Sequence, residues 1–359
     1  MSNPNDEVWL LNPKGVQVSV REEFSVSLIA KGYQVLQKDE IVAYKIKTPI
    51  DARVVQGQWH YSGYGRVQEI LDNNVIWNPE SNNLIYIGYP QKLEKEAGKK
   101  YILITAFEAN RIPPEWVPLL NDFDLIMVPS KFCERIFKDS GTTTIVKTMI
   151  QGTDNFRLAE PLGDEFRFLH YNSFSDYGRK GWDMVARVFN QLFPPSIGGV
   201  KLYLKARKHD VAKDIAILPK NKNINVIVAD YNRYQMNTLL SGIHCMVFPS
   251  RGEGIGLPPI ETMARGIPTI FTDAYGMTEY EQFGIKVDVH GFVPAIYDFP
   301  FDGLWVEPDE DKLRQKMFAV YQHYFEHKRQ AISKVPKIKE RFGERAMVTR
   351  FKELINSIT

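Results

Sequence analysis

From residue 83 onward the chain alternates short apolar runs with stretches whose apolar positions recur every three or four residues, so strands and amphipathic helices are expected in turn. NLIYIGY at 83–89, KYILITAFE at 100–108, FDLIMVPS at 123–130 and TTIVKTMIQG at 143–152 predict strands. The third ends in a helix cap at Ser130, ahead of a short helix over 131–137. LAEPLGDEF at 158–166 sets proline, glycine and acids between two strand-like segments and predicts a domain boundary. Beyond it, FRFLHYN at 166–172, VKLYLKAR at 200–207, NINVIVAD at 223–230, HCMVFPS at 244–250 and PTIFTD at 268–273 predict strands, with helices at 182–193, 234–242 and 257–266. Runs apolar on both faces belong to parallel sheets covered on both sides, and such sheets carry function beyond the carboxyl ends of their strands. Two amphipathic helices, 311–334 and 339–358, close the chain, and the simplest placement for both is the surface of the second domain.

The first 45 residues are patterned differently. VWLL at 8–11 predicts a strand, NPKG at 12–15 a turn, and 21–33 a helix stopped at Gly32, with IVAYKI at 41–46 leading into the next block. This stretch is either an accessory segment or an edge strand and helix of the first domain. The expected division is 1–45 accessory, 46–160 first α/β domain, 161–335 second α/β domain and 336–359 terminal helix. The fold class is therefore α/β, two Rossmann-like domains facing across a cleft.

Composition narrows the function classes. At 359 residues the chain exceeds one ordinary core, and 44% hydrophobic with 25% charged residues is the balance of a soluble globular protein. A net charge of +2 gives no general affinity for nucleic acid, although a local basic groove stays open. Two cysteines, Cys133 and Cys245, exclude a disulfide framework and a cysteine-rich zinc site. Without HExxH or GxSxG, neither zinc proteolysis nor serine acyl transfer has support, and no metal site is expected. The histidines His60, His170 and His244 form no metal-ligand cluster in the sequence. No stretch is long and apolar enough to be an integral membrane segment, so a cytoplasmic protein is expected.

The richest local chemistry is PSRGEGIGLPPIETMARGIP at 249–268. A buried strand emits a glycine-rich turn into a helix, with Glu253 and Glu261 bracketing the helix start. Amides exposed by such a turn receive phosphates, and carboxylates bind hydroxyls, so a ligand with phosphate and sugar parts is indicated. HYSGYGR at 60–66 reads as a second glycine-rich loop, with Gly63 and Gly65 facing the ligand. Glu108, in TAFEANRIPPEWV at 105–117, either orients an acceptor hydroxyl or donor sugar or pairs with Arg111.

The stretch at 249–268 resembles the E-x7-E signature of family 4 retaining glycosyltransferases of the GT-B fold, with its glutamates at Glu253 and Glu261. FDLIMVPSKFCERIFKDSG at 123–141, the GTD at 152–154, FRFLHYNSFSDYGRKGWDMVARVF at 166–189 and LWVEPDEDKL at 304–313 extend the resemblance over roughly 84–355. It implies two facing Rossmann-like domains with the last helix crossing back to the first. It also implies metal-independent transfer of a hexose from a nucleotide sugar, a UDP- or GDP-hexose, to an acceptor hydroxyl with retention. Glu261 would bind the donor ribose, while Glu253 and the backbone of Gly254, Ile255, Gly256 and Leu257 would hold the transferred sugar and distal phosphate. Lys180 matches the family's phosphate-binding lysine. The family commonly has an arginine six residues earlier, where this chain has Phe174; Arg179 either supplies that charge or points to solvent. Asn172 would add a hydrogen bond, and Asp154 would shape the cleft or cap a turn. About 30 of the first 45 residues also resemble a short module of phage-associated proteins, which would place the protein in a host cytoplasm. The acceptor stays open between glycan, lipid-linked glycan, protein and modified DNA. The competing readings are a catalytically weak sugar-nucleotide- or glycan-binding assembly protein, a DNA-modifying glycosyltransferase and a nucleotide-dependent phosphorylase.

Overall fold

The fold was obtained as a computed structural model, which describes residues 7–11, 17–21, 34–35, 47–56, 63–153, 156–172, 178–208 and 218–358. Strands β1 (Glu7–Leu11), β2 (Gln17–Arg21) and β3 (Gln34–Val35) form an antiparallel sheet of their own, in the order β2-β1-β3. The turn, helix and lead-in expected at 12–15, 22–33 and 41–46 lie outside the described residues.

A first lobe follows: β4 (Thr48–Ile50), β5 (Arg53–Gln56), α1 (Gly63–Asn74), β6 (Val75–Trp77), β7 (Asn83–Ile87), β8 (Lys100–Ile104), α2 (Trp116–Leu120), β9 (Leu125–Val128), α3 (Lys131–Asp139) and β10 (Ile145–Thr148). Its main sheet is parallel in the order β10-β9-β8-β7-β5, while β4 pairs with β6 apart from it. Successive residues of a strand point to opposite faces, and both faces are dry here. Ile102, Ile104, Leu125 and Met127 enter one core, and Leu103, Ile126 and Val128 the other. Ser130 caps α3 as expected, its Oγ accepting from the Cys133 amide.

The second lobe contains β11 (Phe166–Tyr171), α4 (Trp182–Leu192), β12 (Val200–Ala206), β13 (Ile224–Val228), α5 (Arg233–Ser241), β14 (Cys245–Phe248), α6 (Leu257–Met263), β15 (Thr269–Thr272) and β16 (Ile285–Val287). A hairpin of β17 (Val289–Pro294) and β18 (Leu304–Pro308) follows. The six-stranded sheet runs β13-β12-β11-β14-β15-β16, all parallel. Strand order therefore reverses between β11 and β14, and a crevice opens beyond their carboxyl ends.

Two expectations need correction. Residues 60–66 are not wholly a loop, because α1 begins at Gly63. Val67, Ile70 and Leu71, at helical spacing, bury into the first core and hold two glycines in its first turn. The chain end is three helices rather than two: α7 (Glu310–Gln322), α8 (Tyr324–Phe342) and α9 (Glu344–Asn356). The last one does not lie on the second lobe, the placement its amphipathic pattern alone suggests, but on the first, the side to which the resemblance assigns it. The side chains of Met347, Val348, Phe351, Leu354 and Ile355 enter the first-lobe core beside Val67 and Ile70.

The lobes also meet through a buried carboxylate. Glu279, in a 3-10 turn over Tyr275–Tyr280, accepts from the Lys131 amide at the start of α3 and from Arg341 of α8, each at 2.6 Å. No helix among the described residues is long and apolar enough to cross a membrane.

Candidate functional site

The site is assembled by two loops that leave neighbouring strands at the reversal of strand order. After β11 the chain returns at Gly178–Gly181 to enter α4; after β14 it runs through Pro249–Gly256 to enter α6. The loops touch so closely that a Cβ on Gly181 would lie 2.2 Å from the Pro249 carbonyl oxygen, and Gly181 also takes a φ of 72°. Only glycine satisfies both conditions. The Arg251 amide donates to the Arg179 carbonyl at 2.7 Å, lacing the two together.

This brings Lys180 Nζ to 2.7 Å from Glu253 Oε1, where Ser250 Oγ also donates at 2.8 Å. Lys180 is 8% exposed and Glu253 6%, so the pair is almost dry. Arg179 does not point to solvent. Its Nη1 donates to the Gly252 carbonyl at 2.8 Å and lies 3.7 Å from Glu108 Oε1, across the cleft. Arg111, the alternative partner for Glu108, pairs with Asp302 at 2.9 Å instead.

The glycine-rich turn is clamped from both sides. A Cβ on Gly276 would lie 2.0 Å from the Gly254 carbonyl oxygen, and the Gly276 amide donates to Glu253 O at 3.0 Å. On the other side, a Cβ on Gly254 would lie 3.1 Å from Ala106 Cβ and 3.4 Å from the Phe107 carbonyl oxygen, in the loop after β8. The carboxyl ends of the two sheets thus face each other. Ile255 turns its side chain into the second-lobe core, leaving its backbone to the turn. Gly256, at φ 78°, leads into α6 at Leu257. Pro258 and Pro259 carry no N–H, so amide donors here come from Gly254–Leu257 rather than from the rest of the first helical turn.

Glu261, half-buried on α6, accepts from Tyr171 Oη at 2.6 Å. Burial and this carboxylate push the Tyr171 phenol well above its ordinary range, which keeps it a donor. Across the cleft Arg66 of α1 is within electrostatic reach of Glu261 and pairs with Glu69 at 2.8 Å. Tyr64 Oη both donates to the Ala106 carbonyl and accepts from its amide, at 3.2 Å each, fixing α1 to the loop after β8. Gly63 lies exposed at the start of α1, with Gly65 half-buried in the same turn. Asn172 closes β11 by donating from its amide to Lys205 O at 3.1 Å.

His170, one residue before Tyr171, is completely buried. Its Nδ1 donates to Val247 O at 2.8 Å, its Nε2 has no hydrogen-bond partner among the described residues, and burial lowers its pKa to about 4. His60, Asp154 and Phe174 lie outside the described residues. Sequence reasoning missed Ser250, Tyr171, Tyr64 and Tyr297. Tyr171 ends a strand just before a turn, a signal that could have been used; Tyr297, whose Oη is 3.4 Å from Glu108 Oε2, had none. Among the described residues no group of three or more His, Cys, Asp or Glu side chains is placed to hold a metal ion.

Known proteins resemble this chain in sequence over one span and in fold over most of its length. Residues 165–322 match the family described as Glycosyl transferases group 1, a span that contains Lys180, Glu253 and Glu261 but not Glu108, Gly63 or Gly65. No curated protein sequence matches the chain. Among solved structures it is similar to TarM of S. aureus, with a TM-score of 0.59, 14% identity and coverage of 76% of this chain and 54% of TarM. It is similar to the sucrose-phosphate synthase of Thermosynechococcus elongatus, at TM-score 0.60, 15% identity and coverage of 77% and 74%. It is also similar to HepE of Anabaena in complex with UDP-glucose, at TM-score 0.56, 16% identity and 72% of each chain. The chain spans about half the length of TarM. Two parallel α/β sheets with facing carboxyl ends, matched over most of the chain by these structures, give the protein the GT-B fold.

Proposed function

We propose that this protein is a retaining glycosyltransferase that moves a hexose from a UDP-sugar to an acceptor hydroxyl. The observation that carries the reading is the dry Lys180–Glu253 pair at the reversal of strand order, set in a glycine-rich turn that faces the loop of Glu108. A ligand with phosphate and sugar parts fits that combination of one cation, two carboxylates and a run of amides. The HepE structures, which contain UDP-glucose or UDP, favour uracil as the base.

In this reading Glu261, held by Tyr171, takes the ribose hydroxyls. The amides of Gly254–Leu257 meet the distal phosphate, and Glu253 orients a hydroxyl of the hexose. The bond from the anomeric carbon to the diphosphate oxygen breaks, and a bond to the acceptor oxygen forms on the same face. The acceptor proton passes to the departing diphosphate. Lys180 stabilises the negative charge that develops there, and its position is fixed beforehand by Glu253, so little reorganisation is needed. Glu253 and Glu261 are positioning groups; neither serves as nucleophile.

The test is calorimetric titration of UDP-, GDP- and ADP-glucose into the protein in chelator, with Glu261→Ala beside it. UDP-glucose should bind in preference, and the variant should lose about tenfold or more in affinity, the scale expected for a charged hydrogen-bond partner. Folded protein that binds none of the three would overturn the reading.

A further inference from the structure

Glu108 lies in an aromatic neighbourhood that the transfer chemistry does not require. Tyr297 donates to its Oε2 at 3.4 Å and stacks on Phe107, with ring centroids 5.3 Å apart. Phe107 meets Trp116 at 5.1 Å, Trp116 meets Tyr89 at 5.2 Å, and Tyr89 meets Tyr64 at 6.1 Å. Burial and the Glu108 carboxylate raise the phenols of both Tyr64 and Tyr297, so the acid lies within electrostatic reach of both tyrosines, of which Tyr297 also touches it. Phe107 is a core residue, whereas Tyr89, just beyond the carboxyl end of β7, is 48% exposed. This wall borders the donor loop, because a Cβ on Gly252 would lie 2.2 Å from the Glu108 carbonyl oxygen.

We propose that the aromatic wall of Tyr89, Trp116 and Tyr64 beside Glu108 binds a sugar ring of the acceptor, so that the acceptor is a glycan. A pyranose has an apolar C–H face and a rim of hydroxyls. The ring face of Tyr89 matches the first and the Glu108 carboxylate the second, the usual division of a site into apolar lining and a few placed polar groups. A nucleobase also stacks on aromatics, but its backbone asks for a positively charged track, and here the polar group at the wall is an acid. A serine or threonine acceptor offers a hydroxyl without a flat apolar ring to cover Tyr89.

This inference rests on the glycosyltransferase reading, and the experiment separates the two. Maltotetraose, cellotetraose and chitotetraose are titrated into the full chain and followed by calorimetry and tryptophan fluorescence, which Trp116 makes sensitive to the wall. An oligothymidylate serves as the nucleic-acid arm, and UDP binding is measured on every variant. At least one tetraose should bind. Tyr89→Ala should weaken it about tenfold and Tyr89→Phe should retain it, with UDP affinity held within about twofold. UDP binding without any saccharide binding would overturn the glycan inference alone. So would saccharide binding indifferent to Tyr89→Ala, or Tyr89-dependent binding of the oligothymidylate. Loss of UDP binding in the folded wild type would overturn both.

Discussion

Replacing Lys180 by methionine tests whether the centre of the site is as dry as its geometry implies. The substitution keeps most of the side-chain volume and removes the ammonium 2.7 Å from Glu253, a residue only 6% exposed. The carboxylate is then left with Ser250 Oγ at 2.8 Å as its remaining side-chain donor. Removing one partner of a buried ion pair costs about 3–5 kcal/mol, and the surviving hydroxyl argues for about 3. At about 2–4 °C per kcal/mol for a domain of 150–250 residues, melting should fall by about 6–12 °C. Glu253→Gln should cost less, because the amide keeps the shape of the acid and its oxygen can still accept from Lys180 and Ser250. The double variant Lys180→Met/Glu253→Gln should recover about 2 kcal/mol of the loss of the first single variant, a coupling expected only for groups in contact. Calorimetric melting and urea denaturation of the four proteins close the cycle. Lys180→Met as stable as wild type, or a double variant no better than it, would refute the dry pair.

Three further outcomes follow from the same geometry. Gly276→Ala would place a methyl group 2.0 Å from the Gly254 carbonyl oxygen, so the turn must shift, and UDP-glucose affinity should fall about tenfold or more when titrated calorimetrically. His170 has a folded pKa of about 4 against 6.5 unfolded, so the unfolded state holds more protons between those values. Stability should therefore fall by about 3 kcal/mol as pH drops through that window, and His170→Gln should flatten that part of the urea-denaturation profile. Glu279→Ala removes the acceptor of the Lys131 amide and the partner of Arg341, joining α3 to α8, and should cost about 2 kcal/mol in urea.

Much of this fold is legible in the sequence, and the reason is burial. Strands such as β9 and β14, dry on both faces, read as unbroken apolar runs, and the turn at 249–256 carries Gly252 where its backbone meets that of Glu108. The start of α1 was obscured because its first turn holds two glycines of low helix propensity, and its stability comes from Val67, Ile70 and Leu71 packing in the core. The chain end was misdivided at Pro336, which lies exposed within α8 where water can serve the carbonyl it leaves unbonded; the breaks fall at His323 and Gly343 instead. Within the site, Glu253, Glu261 and Lys180 belong to local patterns. The partners that orient them, Ser250 apart, are distant in sequence: Tyr171 is 90 residues from Glu261, and Tyr297 is 189 from Glu108. Such pairings are products of topology, which periodicity does not encode.

The helix that returns to the first lobe also sets an order of events during synthesis. Met347, Val348, Phe351, Leu354 and Ile355 are each at most 7% exposed, and burying them contributes about 10 kcal/mol at about 2 kcal/mol apiece. That is as large as the whole net stability of an ordinary domain. The first lobe is translated first yet lacks one wall of its core until the last helix has left the ribosome. The second lobe, whose sheet cores need nothing from α9, can fold while its predecessor waits. Chains ending at residue 343 and released from the ribosome should therefore carry a protease-resistant second lobe and an open first one, with the core-facing residues of β8 and β9 left uncovered.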